Sequence, residues 1–181
     1  TEIETEVDAE EHKEFSSGDE AEEYFGKRPD RSLRRSDREE YDRQLDYFKT
    51  QSPNGKWSQQ TTSQEEASIT NYCGPDYSAI NGLLRREMTE NQVKLWDNLG
   101  NRKISDMISD ISSAISKFEL PEDIKVFRTC ENDVLEKLQT KIGSTFHDDG
   151  FVSTSVVREK QASGNIFMEI SVPKGQGVGA W

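Results

Sequence analysis

The chain has 181 residues, of which 31% are hydrophobic and 32% are charged, and its formal net charge is -12. This length and composition predict one domain with a modest core. No run approaches the ~18 apolar residues of a membrane span, and no basic stripe interleaved with aromatic residues favours nucleic-acid binding.

The N-terminal segment carries much of the negative charge, with eleven acidic residues against the single Lys13 in residues 1–23. Acidic runs of this kind are usually solvated and poor in core-forming side chains. We therefore predict a flexible acidic tail or linker over residues 1–23 and a folded domain over residues 24–181. A partner-binding segment is the alternative interpretation of the same run.

The first half of the proposed domain has the periodicity of amphipathic helices. Helices are predicted over residues 36–48, 63–72, 76–87, 89–96 and 103–118. Three of them open with a predicted capping box, in which Ser or Thr is followed three residues later by Glu or Gln: Ser36 with Glu39, Ser63 with Glu66, and Thr89 with Gln92.

The pattern changes after Pro121 to short segments rich in β-branched and aromatic residues. Strands are predicted in IKVFRTC, GFVSTSVV, NIFMEISVP and GVGAW, and one helix in NDVLEKLQTKIG between the first two strands. Helices followed by strands, rather than alternating with them, predict an α+β fold.

Arg128 is the first candidate functional residue, because KVFRTC puts a guanidinium inside a predicted strand on the same face as Val126. A guanidinium on a partly buried face needs an anion. That anion is either a carboxylate in a structural ion pair or a phosphate or carboxylate of a ligand held bidentately. The strand alone leaves both interpretations open.

Two further segments carry polar side chains at positions suited to a site. FVSTS ends a predicted strand with three hydroxyls, although such residues also bond local backbone. The sequence from Tyr72 to Arg85 places Tyr77, Asn81 and Arg85 on one helical stripe. That stripe is either the polar rim of the core or a wall for a flat, charged ligand.

In this order, the helix with its tyrosines, the strand arginine of VFR, the FVSTS segment and the terminal VPKGQGVGAW resemble the bacterial ADP-ribosyltransferase exoenzymes. That family includes the clostridial Rho-modifying exoenzymes and the catalytic subunits of binary actin-modifying toxins. The resemblance covers residues 63–181. It implies N-terminal helices packed on a mostly antiparallel, two-sheet β core, and an NAD-dependent mono-ADP-ribosyltransferase acting on a host protein.

The resemblance also implies roles for individual residues. Arg128 would contact the phosphates of NAD, the co-substrate, and Ser153 would orient the catalytic glutamate; no metal is implied. The residues implied around NAD are Arg128, Tyr72, Tyr77, Asn81, Arg85, Thr129, Phe151, Ser153, Thr154, Ser155 and Arg158. Arg158 belongs to a loop shorter than in the actin-modifying members.

Family chains continue past the strand begun by GVGAW into a turn with Gln-x-Glu or Glu-x-Glu, whose second member is essential. The resemblance therefore implies that the domain is truncated before this turn and that the catalytic glutamate lies beyond Trp181. We expect an enzyme in the full-length form and an inactive or strongly impaired chain as it stands. A fragment and a degenerate copy remain open as explanations.

Two other functions remain open. A catalytically silent docking module of the same fold would bind a toxin's translocation component, although it would have no need of Arg128 or the S-T-S segment. A helical interaction protein would require every motif to be coincidental.

By resemblance, the partners are a host acceptor protein, either a small GTPase or actin, and a translocation component. The protein would be a secreted or delivered bacterial toxin acting in the host cytosol, with neither membrane insertion nor nucleic-acid binding. Cys73 and Cys130 have no metal-ligand spacing with His12 or His147 and are predicted to be buried apolar residues.

Overall fold

The computed structural model describes residues 12–100, 102–130, 143, 147–160 and 164–175. The helices are α1 (Gly18–Phe25), α2 (Leu33–Ser36), α3 (Arg38–Gln51), α4 (Pro53–Ser58), α5 (Ser63–Tyr72), α6 (Tyr77–Leu84), α7 (Glu90–Leu99) and α8 (Ile104–Ser116). They are followed by β1 (Ile124–Cys130), a short 3-10 helix (Arg158–Lys160) and β2 (Ile166–Val172). The predicted α+β order, with helices first, is confirmed.

The two strands form an antiparallel pair that runs from Ile124 opposite Val172 to Cys130 opposite Ile166. Both strands have the predicted positions because their β-branched and aromatic residues suit a pleated surface. On its other edge β1 meets isolated backbone bridges, including one between Phe127 and Ser155. Within the described part of the chain, β1 therefore lies at the centre of the sheet.

The predicted strand over GFVSTSVV is wrong. In this segment only Ser155 and Val157 pair with other strands, each through a single bridge. The Ser155 hydroxyl donates to the Val157 carbonyl (2.7 Å) and accepts from the Val157 amide (3.1 Å). This local side-chain bonding takes the place of a ladder and lets the backbone leave the sheet.

The core lies between the helices and the sheet. Helix α8 turns Ile104, Ile111 and Ala114 inward, and each is at most 1% exposed. Trp57 of α4 donates its indole N–H to the Ala114 carbonyl at 2.7 Å and stacks edge-on against Phe118. These contacts fix α4 and α8 against each other and provide the platform on which α5 lies.

At two of the three predicted capping boxes the observed N-cap is shifted by one residue. Asp37, not Ser36, caps α3 by accepting from the Glu40 amide. Thr62 and Glu65, not Ser63 and Glu66, form the box of α5. Both pairs fit the capping-box motif equally well in the sequence. The structure uses Thr62 and Glu65 because this register turns the Glu65 carboxylate inward, where it pairs with α8 and its neighbours. The third box, Thr89 with Gln92, is confirmed.

The predicted tail extends too far into the chain. Phe15 is 3% exposed, and α1 buries Ala21 and Phe25, whose ring lies 6.3 Å from that of Phe118. Ser17 caps α1 by accepting from the Glu20 amide. Residues 12–23 are thus packed against the domain, while Asp19, Glu22 and Glu23 of α1 are exposed. The division at residue 24 otherwise stays a prediction.

Some predicted elements fall outside the described residues. These are residues 1–11 of the tail, nearly all of the helix predicted in NDVLEKLQTKIG, and the strand predicted in GVGAW.

Glu65 makes the domain sensitive to acid. Its carboxylate, 6% exposed, accepts from Lys117 Nζ at 2.6 Å, from Ser113 Oγ at 2.6 Å and from the Thr62 amide at 2.7 Å. Burial alone would raise the pKa of Glu65, but these three donors outweigh burial and lower that pKa to about 2.

Because the folded-state pKa of Glu65 is depressed, its contribution to stability is complete above the unfolded value of 4.5 and is lost as the pH falls toward 2. We expect Glu65→Gln to lower the free energy of unfolding by about 2 kcal/mol at pH 6 and by little at pH 2. Glu66→Gln, on the same turn, is the matched control. Urea unfolding across this range tests the prediction, and a pH-independent difference would contradict it.

Candidate functional site

A pair of tyrosines forms one wall of the candidate site. Helix α5 ends at Tyr72, α6 begins at Tyr77, and the short turn between them brings the two rings to a centroid distance of 5.2 Å. The Tyr72 ring also meets the Phe151 ring edge-on at 5.5 Å. The turn therefore holds two neighbouring aromatic rings of the kind on which a planar ligand group can stack.

Arg128 projects from β1 on the opposite side of the site. Its Nη1 donates to the Ser153 carbonyl at 2.7 Å. Within the described part of the chain no carboxylate forms an ion pair with this guanidinium. Of the two interpretations of the strand arginine, the structural ion pair thus finds no partner among these residues.

The segment carrying the three hydroxyls crosses between these walls. Its far end is fixed to β1, since the Phe127 and Ser155 backbones exchange two hydrogen bonds of 2.7 Å each. At its near end, the backbone of Phe151 forms hydrogen bonds with the side chains of Tyr72 and Asn81. Ser153 is consequently held between Tyr72 and Arg128 by contacts from two different elements.

The walls enclose an open cavity of about 630 Å³. Its lining residues are Tyr72, Cys73, Gly74, Tyr77, Ser78, Phe127, Arg128, Thr129, Ser153, Thr154 and Ser155. This volume lies within the usual range for small-molecule sites. We refer to this cavity as the arginine cleft. The structure brings seven of the predicted site residues together here: Tyr72, Tyr77, Arg128, Thr129, Ser153, Thr154 and Ser155.

The Tyr72 hydroxyl organises the polar side of the arginine cleft. It donates to the Phe151 carbonyl at 3.0 Å, lies 2.9 Å from Ser153 Oγ, and accepts from Asn81 Nδ2 at 3.3 Å. A phenol has one proton to give. Asn81 Nδ2 also donates to the Phe151 carbonyl. While Tyr72 donates to the Phe151 carbonyl, Ser153 is the donor in its contact with Tyr72. If Tyr72 turns its proton to Ser153 instead, Asn81 still satisfies the Phe151 carbonyl, and the Ser153 proton becomes free for a ligand or carboxylate.

The ionisation of Tyr72 fits this donor role. Burial raises the pKa of the Tyr72 hydroxyl, and hydrogen bonds with Ser153 and Asn81 offset only part of that effect. The phenol therefore keeps its proton at neutral pH.

Three predicted site residues lie behind the arginine cleft rather than in its lining. Asn81, 2% exposed, and Phe151 bond to each other, and Arg85 forms a two-pronged ion pair with Asp148, with both N–O distances 2.8 Å. The Arg85 guanidinium, aided by the Gly150 amide, holds the pKa of the Asp148 carboxyl below its ordinary value despite partial burial.

Arg158 does not line the arginine cleft. Its guanidinium lies 5.1 Å and 4.8 Å from the ring centroids of Phe127 and Phe167 and pairs with Glu169. The assignment of Arg158 to a dinucleotide stays a prediction.

Sequence reasoning missed Asp148 and the exposure of Cys73. Nothing local separates Asp148 from Asp149, because only the fold reveals that Asp148 faces Arg85 while Asp149 pairs with exposed His147. The prediction of a buried Cys73 is wrong, because this residue is exposed at the rim of the cleft. Its position in the turn after α5, outside any apolar run, was the available signal.

The described residues contain no group of three or more His, Cys, Asp and Glu that could hold a metal ion. No helix among them is long and apolar enough to cross a membrane.

Comparison with known sequences identifies one family. The profile of the ADP-ribosyltransferase exoenzyme family matches residues 49–179, a range that includes the whole arginine cleft. No curated protein sequence matches the chain.

Solved structures of two toxins resemble the chain. C3larvin, an ADP-ribosyltransferase from Paenibacillus larvae, is 22% identical with a TM-score of 0.50, covering 67% of this chain and 73% of C3larvin. BECa, an ADP-ribosylating toxin of a C. perfringens binary enterotoxin solved with NADH, is 26% identical with a TM-score of 0.49. The similarity to BECa covers 66% of this chain, which spans only 32% of BECa. The likeness to C3larvin shows a shared fold.

Proposed function

The chain belongs to the ADP-ribosyltransferase exoenzyme family, and from this premise we propose that the arginine cleft binds NAD for transfer of ADP-ribose to a protein side chain. The observation that carries the proposal is the state of Arg128. Its guanidinium is fixed by the Ser153 carbonyl, reaches the cleft, and forms no ion pair among the described residues. Such a group can hold a phosphate through two parallel hydrogen bonds.

The other lining residues suit the remaining parts of a dinucleotide. The Tyr72 and Tyr77 rings offer stacking surfaces for a planar base. The hydroxyls of Ser153 and Thr154 also line the cleft and could bond ribose oxygens or phosphate, whereas the Ser155 hydroxyl donates its proton to the Val157 carbonyl. Thr129 follows Arg128 on β1 and completes the polar side. The cleft thus combines aromatic rings, which suit a base, with a cation and hydroxyls, which suit phosphate and ribose.

The reaction breaks the bond between nicotinamide and ribose. The bonding electrons leave with neutral nicotinamide, while a nucleophilic side chain of the acceptor bonds to the ribose carbon and loses a proton. Positive charge develops on the ribose, so a fixed carboxylate beside it stabilises the transition state. We assign that carboxylate to a glutamate outside residues 1–181. Ser153 Oγ lies 2.9 Å from the Tyr72 hydroxyl, and when Tyr72 donates to it the Ser153 proton is available to orient that carboxylate.

The remaining assignments follow from family membership and are equally part of the proposal. The acceptor is a host protein, with small GTPases and actin as the first candidates, and a translocation component delivers the toxin to the host cytosol. The chain as it stands is expected to bind NAD with little or no transferase activity.

Calorimetric titration of the chain with NAD tests the proposal without requiring catalysis. We expect saturable binding to one site, and ADP-ribose should compete because it retains the phosphates. If a well-folded chain and a longer chain that includes the family's glutamate turn both fail to bind, NAD binding is rejected. Binding by the longer chain alone would mean that residues outside 1–181 complete the site.

A further inference from the structure

Asp148 and Arg85 form a two-pronged ion pair beside the arginine cleft. Arg85 Nε and Nη2 donate to different oxygens of Asp148, both at 2.8 Å, and the two side chains are only 26% and 23% exposed. Asp148 Oδ1 also accepts from the Gly150 amide at 2.8 Å. Two parallel bonds between planar groups fix both orientation and distance. The pair therefore ties the start of the hydroxyl segment to the end of α6.

Asn81, one turn earlier on α6, holds the same segment. Its Oδ1 accepts from the Phe151 amide at 2.8 Å and its Nδ2 donates to the Phe151 carbonyl at 3.3 Å. One buried side chain thus pairs with a backbone as a neighbouring strand would. Residues 148–151, which we call the anchor loop, are bound to α6 by side chains instead of by a β ladder.

Gly150 shows how closely the anchor loop lies on α6. A Cβ at this position would come within 2.8 Å of Arg85 Nε and 2.9 Å of Asn81 Oδ1. Because both atoms are held by hydrogen bonds of their own, neither can move without breaking a bond to the loop. Any side chain at residue 150 would separate the anchor loop from the helix.

The position of the anchor loop determines where Ser153 lies in the arginine cleft. Ser153 lies two residues beyond Phe151, and its carbonyl is the acceptor that holds Arg128 Nη1. Only residues 152–154 separate the anchor loop from the bridge at Ser155, and they form no regular structure. Displacing the loop would therefore move the acceptor that orients the Arg128 guanidinium.

We propose that Arg85 and Asp148 are positioning residues, which act on NAD binding through the anchor loop and Ser153. This inference rests on the proposed function. Both prongs of Arg85 are bonded to Asp148, whose charge neutralises it, and Arg85 does not line the cleft. Moving the Arg85 guanidinium into the cleft would break the pair and leave a partly buried carboxylate without its partner.

A double-mutant cycle measured by NAD calorimetry separates the two roles. If Arg85 acts through Asp148, then Arg85→Gln and Asp148→Asn each weaken binding about tenfold, and the double variant is no weaker than either single variant. If Arg85 is a phosphate ligand, Arg85→Gln weakens binding whereas Asp148→Asn leaves it unchanged or tighter, because the guanidinium is released. That second pattern, or losses that multiply in the double variant, would overturn the inference.

Amide hydrogen exchange and a control variant show whether a loss of NAD binding comes from the anchor loop or from misfolding. Amide hydrogen exchange should show faster exchange at Phe151 in each variant, with unchanged protection in α8. Arg38→Gln removes an exposed guanidinium paired with Asp42 on α3 and should affect neither reading. Wild-type binding with unaffected Arg85 and Asp148 variants overturns this inference alone. A wild-type chain that binds no NAD overturns the proposed function and, with it, this role of the anchor loop.

Discussion

We expect replacement of Arg128 with Lys to weaken NAD binding by about a hundredfold in a calorimetric titration, the largest effect of any conservative change in the arginine cleft. Arg128 donates one N–H to the Ser153 carbonyl, which leaves other guanidinium donors for phosphate oxygens. Lysine keeps the charge but lacks the planar arrangement, so it cannot bond Ser153 and grip two phosphate oxygens at once.

Arg38→Lys is the matched control for this measurement. It makes the same chemical change on α3, where Arg38 pairs with Asp42 on the surface, and should leave NAD affinity within about twofold of the wild type. Thermal unfolding of both variants shows whether the fold is intact.

The same experiment distinguishes an enzyme domain from a silent docking module. A docking module has no need of a phosphate-binding guanidinium, so its Arg128→Lys variant would change stability or nothing. Equal NAD affinity in a folded Arg128→Lys variant would remove the main support for the nucleotide site. The titration requires no turnover, because binding precedes bond cleavage.

Elements with strong local signals could be predicted from the sequence. Strand β1 and helix α8 have uninterrupted apolar periodicity, and their observed bounds follow it closely. Arg128 stood out for the same reason, since a charged residue in a β-branched strand contradicts its surroundings. The site could be located to this extent because its scaffold consists of ordinary regular elements.

The hydroxyl segment and α1 could not be predicted because distant contacts determine them. FVSTS has the composition of a strand, yet α6 side chains far away in the sequence hold its beginning. The carboxylates of α1 predicted a solvated segment. In the structure, the rings of Phe15 and Phe118 instead form a surface against which Phe25 is buried. In both cases tertiary packing overrides a local composition that points elsewhere.

Gly55→Ala should be the most destabilising small substitution in the helical half, costing about 3 kcal/mol or more. A Cβ at Gly55 would lie 1.9 Å from the Phe48 carbonyl oxygen and 2.5 Å from its carbon. These are backbone atoms in the last turn of α3, so no side-chain rotation can relieve the clash. Ser52 fixes this junction further, because its Oγ donates to the Phe48 carbonyl and accepts from the Gly55 amide.

Relief of the clash would require α4 to move away from α3. That movement would displace Trp57, the buried residue through which α4 contacts the core. Trp57 is 3% exposed and bonded to α8, on which α5 and its Tyr72 are packed. Gly18→Ala is the matched control, since a Cβ there meets nothing within 4 Å and alanine favours the helix by roughly 0.5 kcal/mol or more. Urea unfolding followed by tryptophan fluorescence compares the two variants. A Gly55→Ala chain within about 1 kcal/mol of the wild type would show that the junction between α3 and α4 can yield, and that the close backbone contact is not what holds α4 in place.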